Sequence, residues 1–298
     1  MIGPLRRWSI ALASAFLAGA VPACSTAPAA PAAVPPARSH AAAVPAPGEQ
    51  ARRLTLPFDA YDFSPAENMT LEVAEDLLVR DCLRARGMAW QVLPAPAGSE
   101  SEPPHRRRYG VIEREMADVF GYHTPPDRPV VAARKQHDLA RTAQASPTVR
   151  KAADRCLDRA RDHLSAGAPN ADAGFFNKTI FASFDASQRE EKVTRAFRSW
   201  SACMAGEGFP YPDPLTAITD PRWETSQPTP QEIRTAQADL SCKDKTDLVS
   251  IWAAAETRIQ NDAIGRHPKK FQRLRAVKIR QLEAARRVID RTRPMDRP

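Results

Sequence analysis

The 298-residue chain reads as all-α: two disulfide-closed helical units in tandem behind a leader and an extended Pro/Ala tether. Three observations predict this. Helix start signals and apolar residues at helical spacing recur from residue 64 onward, and no stretch of four or more residues alternates as a strand does. Four cysteines, Cys82, Cys156, Cys203 and Cys242, are even in number and lie far apart. Leu, Ile, Val and Phe supply only 55 of the 298 residues. Much of the remaining apolar content is Ala, which buries little area, so the core is thin and needs covalent help. With 28 Pro, 12 Gly and no long apolar run, the composition excludes a polytopic membrane protein and a Gly-rich nucleotide-binding α/β enzyme.

Residues 1–23 have the parts of a secretory signal: Arg6 and Arg7, an apolar stretch from Trp8 to Leu17, then small residues. Val21-Pro22-Ala23-Cys24 has the form of a bacterial lipobox, in which Cys24 becomes the acylated first residue. Cleavage after Ala20 or Ala23, giving a freely secreted chain, is the alternative. Residues 25–50 carry many Pro and no periodicity, as an extended, solvated tether does. The expected division is therefore signal peptide 1–23, lipidated cysteine and tether 24–55, first helical unit 56–167 and second helical unit 168–298.

Ser64-Pro65-Ala66-Glu67 is a capping box with Pro at the first helical position. Leu71, Ala74, Leu78 and Cys82 continue it at helical spacing, and Gly87 ends it. A short helix is expected around Ile112, Met116, Val119 and Phe120. Ser146-Pro147 opens another, with Val149, Ala152, Ala153, Cys156, Ala160 and Leu164 on one stripe. The run 168–185 reads as an interruption whose Phe175, Phe176 and Phe181 cover the seam between the units. Val193, Phe197, Trp200 and Met204 form the next stripe, before Gly206 and Gly208. Thr229-Pro230-Gln231-Glu232 repeats the capping box, and Leu248, Ile251, Trp252, Ala255 and Ile259 mark the helix after it.

With Cys24 set aside from the five cysteines, four remain, an even number that in an exported chain reads as disulfides, and none of the four lies in the close pairs that metal binding wants. The pairing follows from an internal repeat. Cys82 and Cys203 are each followed, five residues on, by Gly87 or Gly208 and then a large apolar residue, Met88 or Phe209. Ala153-Asp154-Arg155-Cys156 resembles Ala238-Asp239-Leu240-Ser241-Cys242, with one residue more. This assigns Cys82–Cys156 and Cys203–Cys242.

The six His form no metal spacing, and no nucleophile elbow, phosphate loop or dinucleotide fingerprint is present, so no catalytic residue, metal or cofactor is assigned. Glu113, Glu115 and Asp118, beside Tyr122 and His123, are the one cluster suited to a general acid or base, and a solvated helix face explains them equally well. Charge is local. Residues 266–298 carry a net +9 while 24–265 carry −3. In that segment Phe271, Leu274, Leu282, Ala285 and Ile289 form an apolar stripe broken by Lys278. Lys269, Arg273, Arg280, Arg287 and Arg291 lie on the opposite face. They suit an anionic surface, either lipid headgroups or a wall polymer, or a solvated face on a docked helix. Nucleic acid is discounted for an exported chain.

The run from Trp200 through Cys203-Met204, Gly208-Phe209-Pro210 and Asp213-Pro214, with Ala238-Asp239 and Cys242 downstream, is similar to a pattern in uncharacterised exported lipoproteins of high-GC Gram-positive bacteria. Tyr211-Pro212 interrupts the usual turn of that pattern. The resemblance covers about 198–260 well. It implies a lipid anchor and a Cys203–Cys242 bond, and it implies no activity. The sequence thus points to a lipid-anchored protein on the outer face of the cell membrane, a non-enzymatic binding module for an anionic wall polymer or an envelope protein. An exported wall hydrolase using helix-borne carboxylates is the alternative.

Overall fold

The structure, a computed structural model, describes residues 43–94 and 102–292. The leader, Cys24 and most of the tether lie outside the described residues. Eleven α-helices and no strand occur among those that are described. In chain order they are α1 (Glu49–Arg53), α2 (Pro65–Arg84), α3 (Arg114–Phe120), α4 (Pro129–Gln144), α5 (Pro147–Ser165) and α6 (Ala173–Gln188). Then follow α7 (Glu191–Gly206), α8 (Pro214–Ile218), α9 (Pro230–Lys245), α10 (Leu248–Arg266) and α11 (Pro268–Thr292).

Local chemistry sets the helix ends. At the start of α2, Ser64 Oγ accepts from the Glu67 N–H (3.2 Å) while Glu67 accepts from the Ser64 N–H (2.7 Å). Thr229 and Glu232 do the same for α9. Each box satisfies two amides that a helix start otherwise leaves without a partner. The C-termini of α2 and α7 share one geometry. Gly87 (φ +70°) and Gly208 (φ +85°) take the left-handed conformation. The next N–H, of Met88 or Phe209, closes on the carbonyl five residues back, Leu83 or Met204, at 3.0 and 2.8 Å. The repeat seen in the sequence is therefore a repeat of helix termination.

Both disulfides are present. Cys82–Cys156 joins α2 to α5, and Cys203–Cys242 joins α7 to α9, with Cα separations of 5.8 and 5.7 Å. The first sits in a cluster of Val79, Leu83, Ala152, Ala153 and Ala160. The second sits at the edge of the largest core, built from Tyr109, Trp200, Met204, Leu248 and Trp252. A third cluster, of Phe58, Phe176, Ala263, Phe271 and Leu274, ties α6, α10 and α11 to the turn at 57–60.

The packing crosses residue 168 in both directions. Helix α3 lies on α9, whereas α11 lies on α2 and α5. Two expectations need correction. Residues 43–55, read as the end of the tether, pack onto the body: Ala51 is fully buried, Val44 and Leu54 pack against the main core, and the Gly48 N–H donates to Glu113 at 2.5 Å. The run 168–185, read as an interruption, is helical from Ala173 onward, forming α6 (Ala173–Gln188). Its start is capped by Asp172 Oδ1 accepting from the Phe175 N–H at 2.8 Å, a signal masked by the Ala- and Gly-containing sequence before it. Phe176 of this helix is buried against Phe58, whereas Phe181 is exposed. Helix α4 was not anticipated, because its one buried residue is Arg134 and it has no apolar stripe.

Each disulfide closes a long loop, with sequence separations of 74 and 39, for which the chain-entropy model gives roughly 4 kcal/mol. Replacing Cys203 and Cys242 together by Ser is expected to lower stability by about 2–5 kcal/mol, read as the urea midpoint of the chain expressed from residue 25 onward. A midpoint unchanged from the parent contradicts this.

Candidate functional site

The sequence-predicted cationic residues sit on α11, and the apolar stripe decides their exposure. Phe271, Leu274, Leu282, Ala284, Ala285 and Val288 are buried, so the helix is docked along its length. Lys278, which breaks the stripe in the sequence, is what fixes the register. Its ammonium pairs with Glu67 at 2.9 Å and donates to the Asp59 and Asp62 carbonyls at 2.8 and 2.5 Å. Burial tends to raise Glu67, but the Ser64 amide and the Lys278 ammonium outweigh it and hold the carboxyl below its usual range.

Docking through that face turns Lys269, Arg273, Arg280, Arg287 and Arg291 outward, and all five are exposed. They span about 33 Å of helix at 1.5 Å per residue. Arg287 has only a long contact with Glu283, at 3.9 Å. Arg280 donates to the Ala166 carbonyl at 3.3 Å, which anchors its base against the end of α5. Lys269, Arg273 and Arg291 make no ion pair among the described residues.

The acidic cluster suggested for acid–base chemistry does not converge. Glu113 is buried and accepts from Arg106 Nε at 2.5 Å as well as from Gly48. Asp118 accepts from Gln237 at 2.7 Å, on the surface. Glu115 is exposed. His123 faces Glu232: its Nδ1 lies 2.7 Å from Oε1, and its Nε2 lies 2.7 Å from the Thr225 carbonyl. Both ring nitrogens thus meet acceptors. The Glu232 contact is the main cause that raises the His123 pKa; partial burial opposes it, and the Thr225 carbonyl adds to it.

The run His105–Tyr109 carries three arginines to which sequence reasoning assigned no role, and it is densely hydrogen-bonded. Its basic residues look like a solvated charge run and instead point inward, each to a different acceptor. His105 meets Asp59 (2.6 Å), Arg106 pairs with Glu113, and Arg107 donates to the Tyr122 carbonyl (2.9 Å). Arg108 clasps the fully buried Glu256 of α10, which also accepts from the Tyr109 hydroxyl (2.9 Å) and Gln260 (2.8 Å). Nearby, Asp239 and Lys243 of α9 form a fully buried pair at 2.8 Å. Asp239 also accepts from the Trp200 indole (2.9 Å), and Lys243 donates to the Val111 carbonyl (3.0 Å). Burial pushes the Asp239 carboxyl up, partly offset by Lys243 and Trp200. The available signal was the acids themselves: Glu232, Asp239 and Glu256 lie on faces of α9 and α10 that also carry the core, and an acid there needs a cation.

No family model, no curated protein and no solved structure matches this chain. Two disulfides in one body mark a protein that folds in an oxidising compartment, outside a reducing cytosol. Among the described residues no helix is long and apolar enough to cross a membrane.

The His123 contacts make a pH prediction. A raised folded-state pKa stabilises the fold fully below the unfolded value of about 6.5, and this is lost as pH rises through the folded value. The stability difference between the parent and His123→Gln, from urea unfolding between about pH 5 and about pH 9, should be largest at the acid end and shrink above neutrality. A difference independent of pH contradicts the assignment.

Proposed function

We propose that this chain is an extracytoplasmic lipoprotein, held to the outer face of the membrane by acylated Cys24, that works as a non-enzymatic module docking on an anionic surface through α11. The observation that carries the reading is the division of α11. Its apolar stripe and Lys278 are spent on docking, and a row of five exposed cations is turned to solvent over about 33 Å. Near an anionic membrane each such cation contributes about 1 kcal/mol, so the row suffices to orient a body that a tether already confines to the surface. The signal sequence, the Val21-Pro22-Ala23-Cys24 motif and the resemblance to exported lipoproteins support the anchor. The binding reading is favoured over a wall hydrolase because the buried acids Asp76, Glu113, Glu232, Asp239 and Glu256 are each engaged by a basic side chain.

The test separates the anchor from the helix. Palmitate labelling of the expressed full-length chain should be lost in Cys24→Ala. For the helix, the soluble chain starting after residue 24 is mixed with phosphatidylglycerol or phosphatidylcholine vesicles and sedimented. It should bind the anionic vesicles only, weaken with added salt, and lose at least tenfold in affinity when Lys269, Arg273, Arg280, Arg287 and Arg291 are replaced by Ala. Equal binding to neutral vesicles, or no effect of the five replacements, overturns the role of α11.

A further inference from the structure

Residues 44–48, Val44-Pro45-Ala46-Pro47-Gly48, lie on the body with no regular secondary structure of their own. The sequence stiffens them. Pro45 and Pro47 hold φ near about −65° and have no N–H. Val44 and Ala46, each before a proline, are biased to extended conformations. Gly48 is extended as well, with φ −72° and ψ 173°. An extended backbone of this kind has no internal hydrogen bonds, so its carbonyls need donors from elsewhere.

Two arginines supply those donors. Arg106 and Arg128 converge on one atom, the Pro45 carbonyl oxygen, each donating through Nη2 at 3.0 Å. Arg106 Nη2 also reaches the Ala46 carbonyl (3.4 Å), and Arg128 Nη1 the Val44 carbonyl (3.5 Å). On the other side of the segment, Glu113 Oε1 accepts from the Gly48 N–H at 2.5 Å. Two carboxylates hold the arginines in place. Glu113 pairs with Arg106 at 2.5 Å, and Glu102 pairs with Arg106 at 2.8 Å and with Arg128 at 2.6 Å. The Arg106 and Glu113 side chains are 5% and 6% exposed. All of these hydrogen bonds to the segment are to its backbone, so they select a conformation and a register.

One position is selected by shape. A Cβ at Gly48 would lie 3.1 Å from Glu113 Oε1. The sequence carries Ala-Ala-Val-Pro twice, at 32–35 and at 42–45. Three residues after Pro45 stands Gly48, and three after Pro35 stands Arg38. The glycine therefore distinguishes the seated segment from its near copy.

We propose that Glu102, Arg106, Glu113 and Arg128 form a clasp for an extended, proline-stiffened backbone ending in glycine, and that by holding residues 44–48 it moors the membrane tether to the body. The mooring role rests on the reading of Cys24 as the anchor; the clasp itself does not. The chain between Cys24 and the clasp is then residues 25–43, which reach at most about 65 Å.

Hydrogen exchange of the chain expressed from residue 25 onward, followed by titration with synthetic peptides, tests the clasp. In the parent the amides of 48–54 should be protected, because Glu113 holds the Gly48 N–H and the Arg52 and Leu54 N–H groups close helical bonds. In Gly48→Val, and in Arg106→Gln/Arg128→Gln, that protection should fall at least tenfold, while α7, α9 and α10 keep theirs and show that the body folds. The Gly48→Val chain, with its own segment displaced, should bind a peptide of residues 42–50 saturably, with a Kd of about 1 mM or tighter. It should not bind a peptide of residues 32–40, and adding Arg106→Gln/Arg128→Gln should abolish uptake of the first. Parent-level protection of 48–54 in either folded variant, no saturable binding of 42–50, or equal binding of the two peptides overturns the clasp. Palmitate labelling at Cys24 is read separately, and its absence overturns the mooring while leaving the clasp to these measurements.

Discussion

Alanine makes up half of the buried cluster around Cys82–Cys156, so apolar burial there is small, and the two disulfides add restraint where packing is weakest. A domain's net stability is about 5–15 kcal/mol. Two covalent links of roughly 4 kcal/mol each in the chain-entropy model are thus comparable to the whole. Their positions matter as much as their size. Cys82–Cys156 sits among Ala152, Ala153 and Ala160, where side chains are smallest. Cys203–Cys242 ties α7 to α9 at the edge of the Trp200 and Trp252 core. The oxidising compartment is therefore a condition of the fold as well as its address.

Ionic links carry what the disulfides do not reach. The N3 glutamates of both capping boxes serve twice. Glu67 closes the start of α2 and also receives Lys278 from α11. Glu232 closes the start of α9 and also holds the 122–123 turn through two backbone amides and His123. Arg106, Arg107 and Arg108 fasten the 105–113 segment to the turn before α1, the turn after α3, and α10. Removing one partner of a buried pair leaves the other charged in a low-dielectric interior, so such links specify the arrangement even where their net contribution is small.

What could be read from the sequence follows from locality. The capping boxes, the glycine ends of α2 and α7, the cysteine pairing and the stripes of α5, α7 and α10 depend on residues within a few turns of each other. The alignment of Cys82 with Cys203 carried the pairing. Helix α4 was missed because arginine chemistry, not an apolar stripe, attaches it. Residues 43–55 were missed because a few apolar side chains, Val44, Ala51 and Leu54, find a core only in three dimensions. The crossing of α3 and α11 between the two halves has no local signal. Of the candidate surface, the cations of α11 were legible by heptad spacing. Lys278 looked like an interruption until its acceptors, all in 57–67, were brought beneath it.

The pairing of sulfurs is the claim on which the rest stands, and a non-reducing peptide map of the exported protein, with intact mass before and after reduction, tests it directly. The account predicts that all four sulfurs of the body are bonded, with one linked peptide pair containing Cys82 and Cys156 and the other Cys203 and Cys242. Four free thiols, or a peptide joining Cys82 to Cys203 or Cys242, would contradict it.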